Sequence, residues 1–422
     1  MIKGLKVRFD IHNILYSIYK FNKTLNSIFI KNVISGHTKE DIAFIHNVTL
    51  NSMRLQFHTS KIIELYIKKK IRDHEKLLLI SAVTQIVFLG FKEYAVINCS
   101  VEIAKKLKLY PGLINASLKK ISRNKIKLSK IQIQYNDLPK WFQKKTEYLS
   151  KSEKKLFIEN FSKEPDIHII FKDKNNLKKF KEKITKTSET SGFLSIKKDI
   201  KKNETFINGN CWVQDFSSFF PLHNFKFESK QIKFLDTCAA PGGKAFQLLS
   251  NNYDVVLNDK SINRIETLKS NLVRLKFNAR ILNKDFIKFS NEEKYDVIII
   301  DSPCSAIGTI RKNPEIFFKN KQPDFKSLNL IQEKMLEKAG ILLNKNGYII
   351  YMTCSFFRCE NEEQIYKFLR KNEKFEIINF EHSIKNTDYK KLVKNKFIKT
   401  LPDNILDHNI DGYFAAFMKK IR

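Results

Sequence analysis

The chain lacks the means to build several common kinds of protein. Its six cysteines, Cys99, Cys211, Cys238, Cys304, Cys354 and Cys359, are too few among 422 residues for a disulfide scaffold. No CxxC pair offers a zinc site, and nothing else in the sequence asks for a metal. Long apolar runs are missing too. The richest, Leu77 to Phe91, is interrupted by Ser81, Thr84 and Gln85 and is too short to span a bilayer. Residues Met1 to Tyr16 lack the continuous apolar centre of a signal peptide. These absences predict a soluble protein of a reducing compartment, hence cytoplasmic, with no membrane role. Acidic residues are scarce as well: 44 Asp and Glu stand against 77 Lys and Arg, a formal net charge of +33. Acidic substrates or polyanions are the natural partners of such a chain, and nucleic acid leads because the charge is spread throughout. Asn, Ile and Phe share A/T-rich codons with Lys, so compositional drift is the competing source of that excess.

What is present divides into three. From residue 1 to about 140 the apolar residues recur with helical spacing. Ile11, Ile14, Leu15 and Ile18 share one helix face, and similar periods run through 39–53, 77–90, 97–108 and 112–122. This predicts an all-α domain over 1–140 whose apolar stripes are core. The basic runs Lys68 to Arg72 and Lys119 to Arg123 are either phosphate contacts or solvated faces. Residues 141–210 read as a small α+β module, with a short strand at Ile167 to Phe171 and Lys-rich stretches at Lys178 to Lys186 and Lys197 to Lys202. From Cys211 to Arg422 strands and helices alternate. Strands are expected at Ile232 to Leu235, Val255 to Leu257, Ala279 to Leu282, Tyr295 to Ile300, Gly347 to Met352, Phe375 to Phe380 and Tyr413 to Met418. The rhythm predicts an α/β Rossmann-type domain over 211–422 with a doubly wound, mostly parallel sheet.

The stretch around which this domain is organised is Cys238-Ala239-Ala240-Pro241-Gly242-Gly243-Lys244, between the first strand and the following helix. It is not a phosphate-cradling P-loop, because Cys238 stands where Gly is needed and Ala245 where Ser or Thr is needed. A GxGxxG fingerprint is also absent. Ligands of such sheets bind at the carboxyl ends of the strands, and Asp259, Asp285, Asp301, Cys304 and Cys354 all fall there. A ribose-binding acid at Asp259 without a pyrophosphate cradle suits S-adenosylmethionine better than NAD or ATP. Carboxylates also favour its sulfonium. Isolated cysteines are usually small buried hydrophobes. Two at neighbouring strand ends, in Asp301-Ser302-Pro303-Cys304-Ser305 and Thr353-Cys354-Ser355, suit a specific chemistry instead. Carbon 5 of a pyrimidine is unreactive until a thiolate adds to carbon 6, and Asp301 is positioned in sequence to hydrogen-bond the ring. The base must be unstacked to reach these groups. Spacing leaves open which cysteine attacks.

With these motifs, and with Glu360-Asn361-Glu362 and Asp411-Gly412-Tyr413-Phe414, the sequence resembles the RNA cytosine carbon-5 methyltransferases over nearly its whole length. Within them it is most similar to the bacterial small-subunit rRNA branch (RsmB, Fmu or Sun). The resemblance implies a NusB-like helical RNA-binding domain, a small linking module and a Rossmann-type methyltransferase domain. It also implies S-adenosylmethionine as cofactor, held by Cys238 to Lys244, Asp259, Asp285 and Asp301. By the same carry-over Cys354 is the nucleophile, Cys304 assists product release, and Asp301 serves both cofactor and base. The implied partner is 16S rRNA, naked or in an early assembly intermediate, with no obligate protein partner. Three positions depart from the family pattern: Ser302 for Ala, Ala245 for Thr, and Asn258 for an apolar residue. The family's arginine-rich signature is not evident within 165–200. A tRNA cytosine methyltransferase and a non-catalytic RNA-binding protein are the competing readings. The NusB-like front speaks against the first and the retained cysteines against the second. Methylation of an amino group would call for an Asn/Asp-Pro-Pro-aromatic motif, which Asp301-Ser302-Pro303-Cys304 is not.

Overall fold

A computed structural model of the chain describes residues 4–28, 36–195, 199–227, 231–290, 293–379, 384 and 386–422. They form two compact units. One comprises residues 1–162 with 310–323, the other residues 163–309 with 324–422.

The first unit is helical, with its main helices at Leu5–Phe21, Lys39–Arg54, Gln56–Tyr66, Asp73–Val83, Glu93–Lys106 and Pro111–Arg123. Ile11, Leu15 and Ile18 are fully buried, so the first apolar stripe faces the core as its period predicts. The helix expected over 77–90 starts earlier, at Asp73. There the Glu75 carboxylate accepts from Arg72 N at 2.9 Å and satisfies a donor that the first turn leaves open. Residues 141–162, expected in the linking module, fold with the helices instead. Phe142 stacks on Phe157 with ring centres 4.9 Å apart. The segment 310–323, from the middle of the expected α/β domain, joins this unit too. Its Phe317 meets Phe142 edge-on, and Arg54 donates to the Arg311 carbonyl at 2.9 Å.

The second unit holds two main sheets. Strands β1 (His168–Phe171), β2 (Ile184–Ser188), β3 (Ser191–Leu194) and β4 (Cys211–Val213) form an antiparallel sheet in the order β2-β3-β1-β4. The small module therefore takes its last strand from beyond residue 210. Lys197 and Lys198, in one of the Lys-rich stretches, lie outside the described residues. The larger sheet is built from β5 (Lys233–Asp236), β6 (Asp254–Asn258), β7 (Arg280–Leu282), β8 (Tyr295–Asp301), β9 (Leu343–Thr353) and β10 (Phe375–Ile377). It is completed by β11 (Val393–Lys394), β12 (Phe397–Thr400) and, after a separate hairpin β13–β14 (Asp403–Ile405, His408–Ile410), by β15 (Tyr413–Lys420). The order is β11-β12-β15-β9-β8-β5-β6-β7, with β10 also on β15.

Strands β5 to β9 pair in parallel, but β15, β12, β11 and β10 pair antiparallel. The sheet is thus mixed, where the sequence predicts it mostly parallel. The helix Glu362–Lys371 still follows β9, but after β10 the alternation of strand and long helix fails, and the last strands return without the crossover helices that parallel pairing requires. Phe380, the expected end of the sixth strand, lies outside the described residues. Ile298, Ile299 and Ile300 on β8 are wholly buried, as a central strand covered on both faces must be. The helix Ile262–Leu275 covers one face through Ile265, Leu268, Leu272 and Leu275. Ile262, expected on that stripe, is exposed instead because it begins the helix, where the chain has only just left the sheet's edge. No helix among the described residues is long and apolar enough to cross a membrane.

Candidate active site

The site grows from the carboxyl ends of β5, β6, β7, β8 and β9, all in the second unit. The loop after β5 is tied to its neighbours at each step. Thr237 donates through N and Oγ1 to the Ile299 carbonyl on β8, at 3.0 and 2.9 Å, and Ala239 N donates to the Asn258 carbonyl on β6 at 2.8 Å. Gly242 has φ of 119°, and a Cβ there would lie 1.9 Å from Phe246 Cζ, so only glycine fits this turn. Asn258, a departure from the family pattern, proves to be a clamp. Buried completely, it donates from Nδ2 to the Thr237 and Lys284 carbonyls, at 3.0 and 3.1 Å, and accepts from Lys284 N at 3.1 Å. One amide thereby fastens the ends of β5, β6 and β7.

The acids divide by environment. Asp259 turns inward and braces the loop, accepting from Ser261 N at 2.9 Å and Ala240 N at 3.3 Å, with Arg264 Nη1 3.4 Å away. Asp285 lies at the rim after β7, where the ammonium of Lys260, 2.9 Å away, holds its carboxyl below the usual range. Asp301 at the end of β8 pairs with Lys244 at 2.6 Å. Burial alone would lower the Lys244 ammonium; Asp301, with help from Asp236, overrides it and raises it. Asp236, wholly buried at the end of β5, is pushed up to about 7 by desolvation, against the pull of Lys244 and with the push of Asp301.

Asp236 gives a pH dependence whose sign is fixed. An unfolded Asp titrates near ~4. Stability linked to this group is full below that value and is lost as pH rises towards about 7, since the unfolded state ionises first. Asp236→Asn is expected to flatten the stability profile between those values, gaining on the native chain at pH 7 relative to pH 4. Denaturant unfolding at several pH values checks this; parallel profiles would contradict it.

The three cysteines at strand ends are not equivalent. Desolvation, with Asp301 and Asp236 nearby, pushes the Cys238 thiol up to about 12, which makes it unreactive. Cys304 and Cys354 bring their sulfurs within 3.5 Å of each other. Cys304 is raised well above its ordinary value by its hydrogen bond with Cys354 and by burial, so it keeps its proton. What holds the two cysteine loops together is Glu360, fully buried. Its carboxyl accepts from Ser305 N at 2.7 Å, and from Ser305 Oγ and Ser355 Oγ at 2.6 Å each. Asn361 donates to the Ser355 carbonyl at 3.0 Å and accepts from Thr353 Oγ1 at 2.6 Å. Gly308 closes against the Gly412 carbonyl, which a Cβ would approach to 1.9 Å. Glu360→Gln puts an amide donor among these donors. It is expected to cost roughly 2–4 kcal/mol of stability and to slow turnover by about tenfold or more, with cofactor affinity unchanged. Denaturation and single-turnover kinetics check it.

A cavity of about 460 Å³ opens beside the loop, between Gln214, Pro241, Lys244, Phe246, Arg274 and Asp301. A larger one of about 660 Å³, lined by Phe216, Phe219 and Tyr389, touches none of the strand-end acids or thiols. The structure thus brings Cys238 to Lys244, Asp259, Asp285, Asp301, Cys304 and Cys354 to one edge of the sheet. The sequence reading missed Arg264, whose guanidinium reaches both Asp259 and the Ala240 carbonyl, and Gln214, which donates to Gln247 at 2.8 Å behind the loop. Neither carries a signal beyond its spacing.

A mixed sheet whose strands β5 to β9 run parallel, with a small-residue loop after its first strand and acids at successive strand ends, defines the class: a Rossmann-type methyltransferase domain. Comparison with known proteins narrows it. Residues 225–419 match the model of the 16S rRNA methyltransferase RsmB/F family, and residues 8–123 match that of the NusB family. Ribosomal RNA small subunit methyltransferase B of Shewanella oneidensis is 26% identical over 92% of this chain and 92% of its own. The same-named protein of Vibrio vulnificus is 24% identical over 99% of this chain and 100% of its own. The crystal structure of NSun6 from Pyrococcus horikoshii with SFG covers 67% of this chain and 98% of its own, at a TM-score of 0.57 and 17% identity, a likeness of fold. Residues 225–419 thus carry a methyltransferase domain of the RsmB/F family, behind a NusB-family domain at residues 8–123.

Proposed function

We propose that this chain methylates carbon 5 of one cytidine in 16S rRNA through a covalent bond between Cys354 and the base, with S-adenosylmethionine as cofactor. The observation that carries this reading is the pair of thiols 3.5 Å apart beside the Lys244–Asp301 pair. The strand-end residues fit the cofactor: Cys238 to Pro241, Gly243, Lys244 and the Asp301 carboxyl line the cavity of about 460 Å³ beside the loop. When bound, S-adenosylmethionine supplies an electrophilic methyl group. Residues Cys238 to Lys244, Asp259, Asp285 and Asp301 hold it. Cys354, as thiolate, adds to carbon 6 of the flipped base and makes carbon 5 nucleophilic. Asp301 hydrogen-bonds the ring nitrogen or amino edge as charge develops there. Loss of the carbon 5 proton to water then expels the Cys354 sulfur as thiolate. Cys304, which keeps its proton 3.5 Å away, donates a hydrogen bond to the departing thiolate and so assists release. The helical unit and the small antiparallel module of strands β1 to β4 place the RNA, largely through Lys and Arg on its phosphates, in a cytoplasmic setting.

The test uses a 16S rRNA transcript carrying tritium at carbon 5 of its cytidines. Methylation there releases tritium to water in step with methyl uptake. Methyl uptake without release would mean an amino group is the acceptor and would overturn the reading.

A further inference from the structure

The first residue of β15, Tyr413, is set into the reaction centre by both neighbouring strands. It pairs with Thr400 on β12, while the next residue, Phe414, pairs with Thr353 on β9, directly before Cys354. The strand's entry is fixed as well. The Asp411 carbonyl accepts from Ser217 Oγ and Thr400 Oγ1 at 2.7 and 2.8 Å, and Gly412 N donates to the Gly308 carbonyl at 2.9 Å. Gly308 N in turn donates to the Cys354 carbonyl at 3.0 Å, so Tyr413 and Cys354 share one brace. The Lys244 ammonium lies 5.5 Å from the centre of the Tyr413 ring. The side chain is 3% exposed, and its hydroxyl is buried with no hydrogen-bond partner among the described residues.

A buried hydroxyl without a protein partner is costly in a finished structure, and phenylalanine would fill the same space without it. The hydroxyl is explained if its partner arrives with the substrate. Around it the fixed groups are mostly acceptors: the Asp236 and Asp301 carboxyl groups raise the phenol further, after burial itself. The nearby ammonium of Lys244 already spends a hydrogen bond on Asp301. The site is therefore rich in groups for a cationic cofactor and short of donors for a base carbonyl. We propose that the Tyr413 hydroxyl faces the substrate and donates a hydrogen bond to the O2 carbonyl of the target pyrimidine as the Cys354 sulfur adds to carbon 6; this rests on the carbon 5 reading above. In that step a C–S bond forms, and the carbon 5–carbon 6 π pair moves into the ring towards N3 and O2. Tyr413 serves the O2 edge as a donor to developing charge, while the Asp301 carboxylate accepts from the amino group beside N3.

The experiment measures exchange of tritium from carbon 5 of the same rRNA transcript with water, without cofactor, which reports sulfur addition alone. For full-length Tyr413→Phe we expect exchange and kcat to fall together by about 10- to 100-fold. The KM for RNA and the Kd for S-adenosylmethionine should stay within about twofold. The thermal midpoint should hold or rise, since an unpartnered buried hydroxyl has been removed. Exchange at the native rate, a weakened cofactor, or a lowered midpoint would each overturn the proposal, the last two by assigning the hydroxyl to the cofactor or to the fold. A native chain with neither exchange nor methyl transfer would instead overturn the carbon 5 reading beneath it.

Discussion

Cys354→Ala is expected to abolish methyl transfer, by about 10⁴-fold or more, while S-adenosylmethionine should bind with affinity unchanged within about twofold. The expectation follows from what the side chain does and does not support. Cys354 stands just past β9, in a loop whose shape is set by Glu360, Asn361, Thr353 and Ser355. Its sulfur contacts Cys304, and no element depends on it for its backbone bonds. Without the thiol, carbon 5 is not activated, and neither Cys238 nor Cys304 replaces it, because both are held as thiols. Isothermal titration with the cofactor and a methyl-transfer assay separate the two effects. Residual turnover at even a hundredth of the native rate would remove Cys354 from the nucleophile's role.

The second large effect is a product that fails to leave. Cys304→Ala takes away the hydrogen-bonding thiol 3.5 Å from the Cys354 sulfur, on which its departure after methylation would depend. A covalent protein–RNA complex is expected to accumulate in the presence of S-adenosylmethionine, stable to denaturing electrophoresis. It should vanish in the Cys304→Ala, Cys354→Ala double variant. Free turnover by the single variant without a retained complex would contradict the release role.

Much of this site is legible in the sequence because its chemistry sits where the strands end. Once the apolar runs of β5, β6, β8 and β9 are recognised, Cys238, Asp259, Asp301, Cys304 and Cys354 fall at their carboxyl ends by position alone. The helical front is legible for a similar reason, since a period such as Ile11, Ile14, Leu15 and Ile18 leaves few alternatives. What is not legible depends on contacts remote in sequence. That Asn258 ties three strands shows only when Thr237 and Lys284 are brought to it; in the sequence it is merely a polar residue in an apolar run. Glu360 reads as part of a motif, yet its work of joining the loops at Ser305 and Ser355 is spatial. The excursion of residues 310–323 into the helical unit is hidden in the same way, because Phe317 looks like any apolar residue until Phe142 and Phe57 surround it. The antiparallel edge of the larger sheet follows from pairings of β15 with β9, β10 and β12 that no local pattern announces.

The measurement that bears most directly on function is transfer from radiolabelled S-adenosylmethionine to unmodified 16S rRNA and, separately, to unmodified tRNA, with the labelled nucleoside identified. The expected result is 5-methylcytidine at a single site of the 16S rRNA. Label confined to tRNA, or recovered as any other methylated nucleoside, would contradict it.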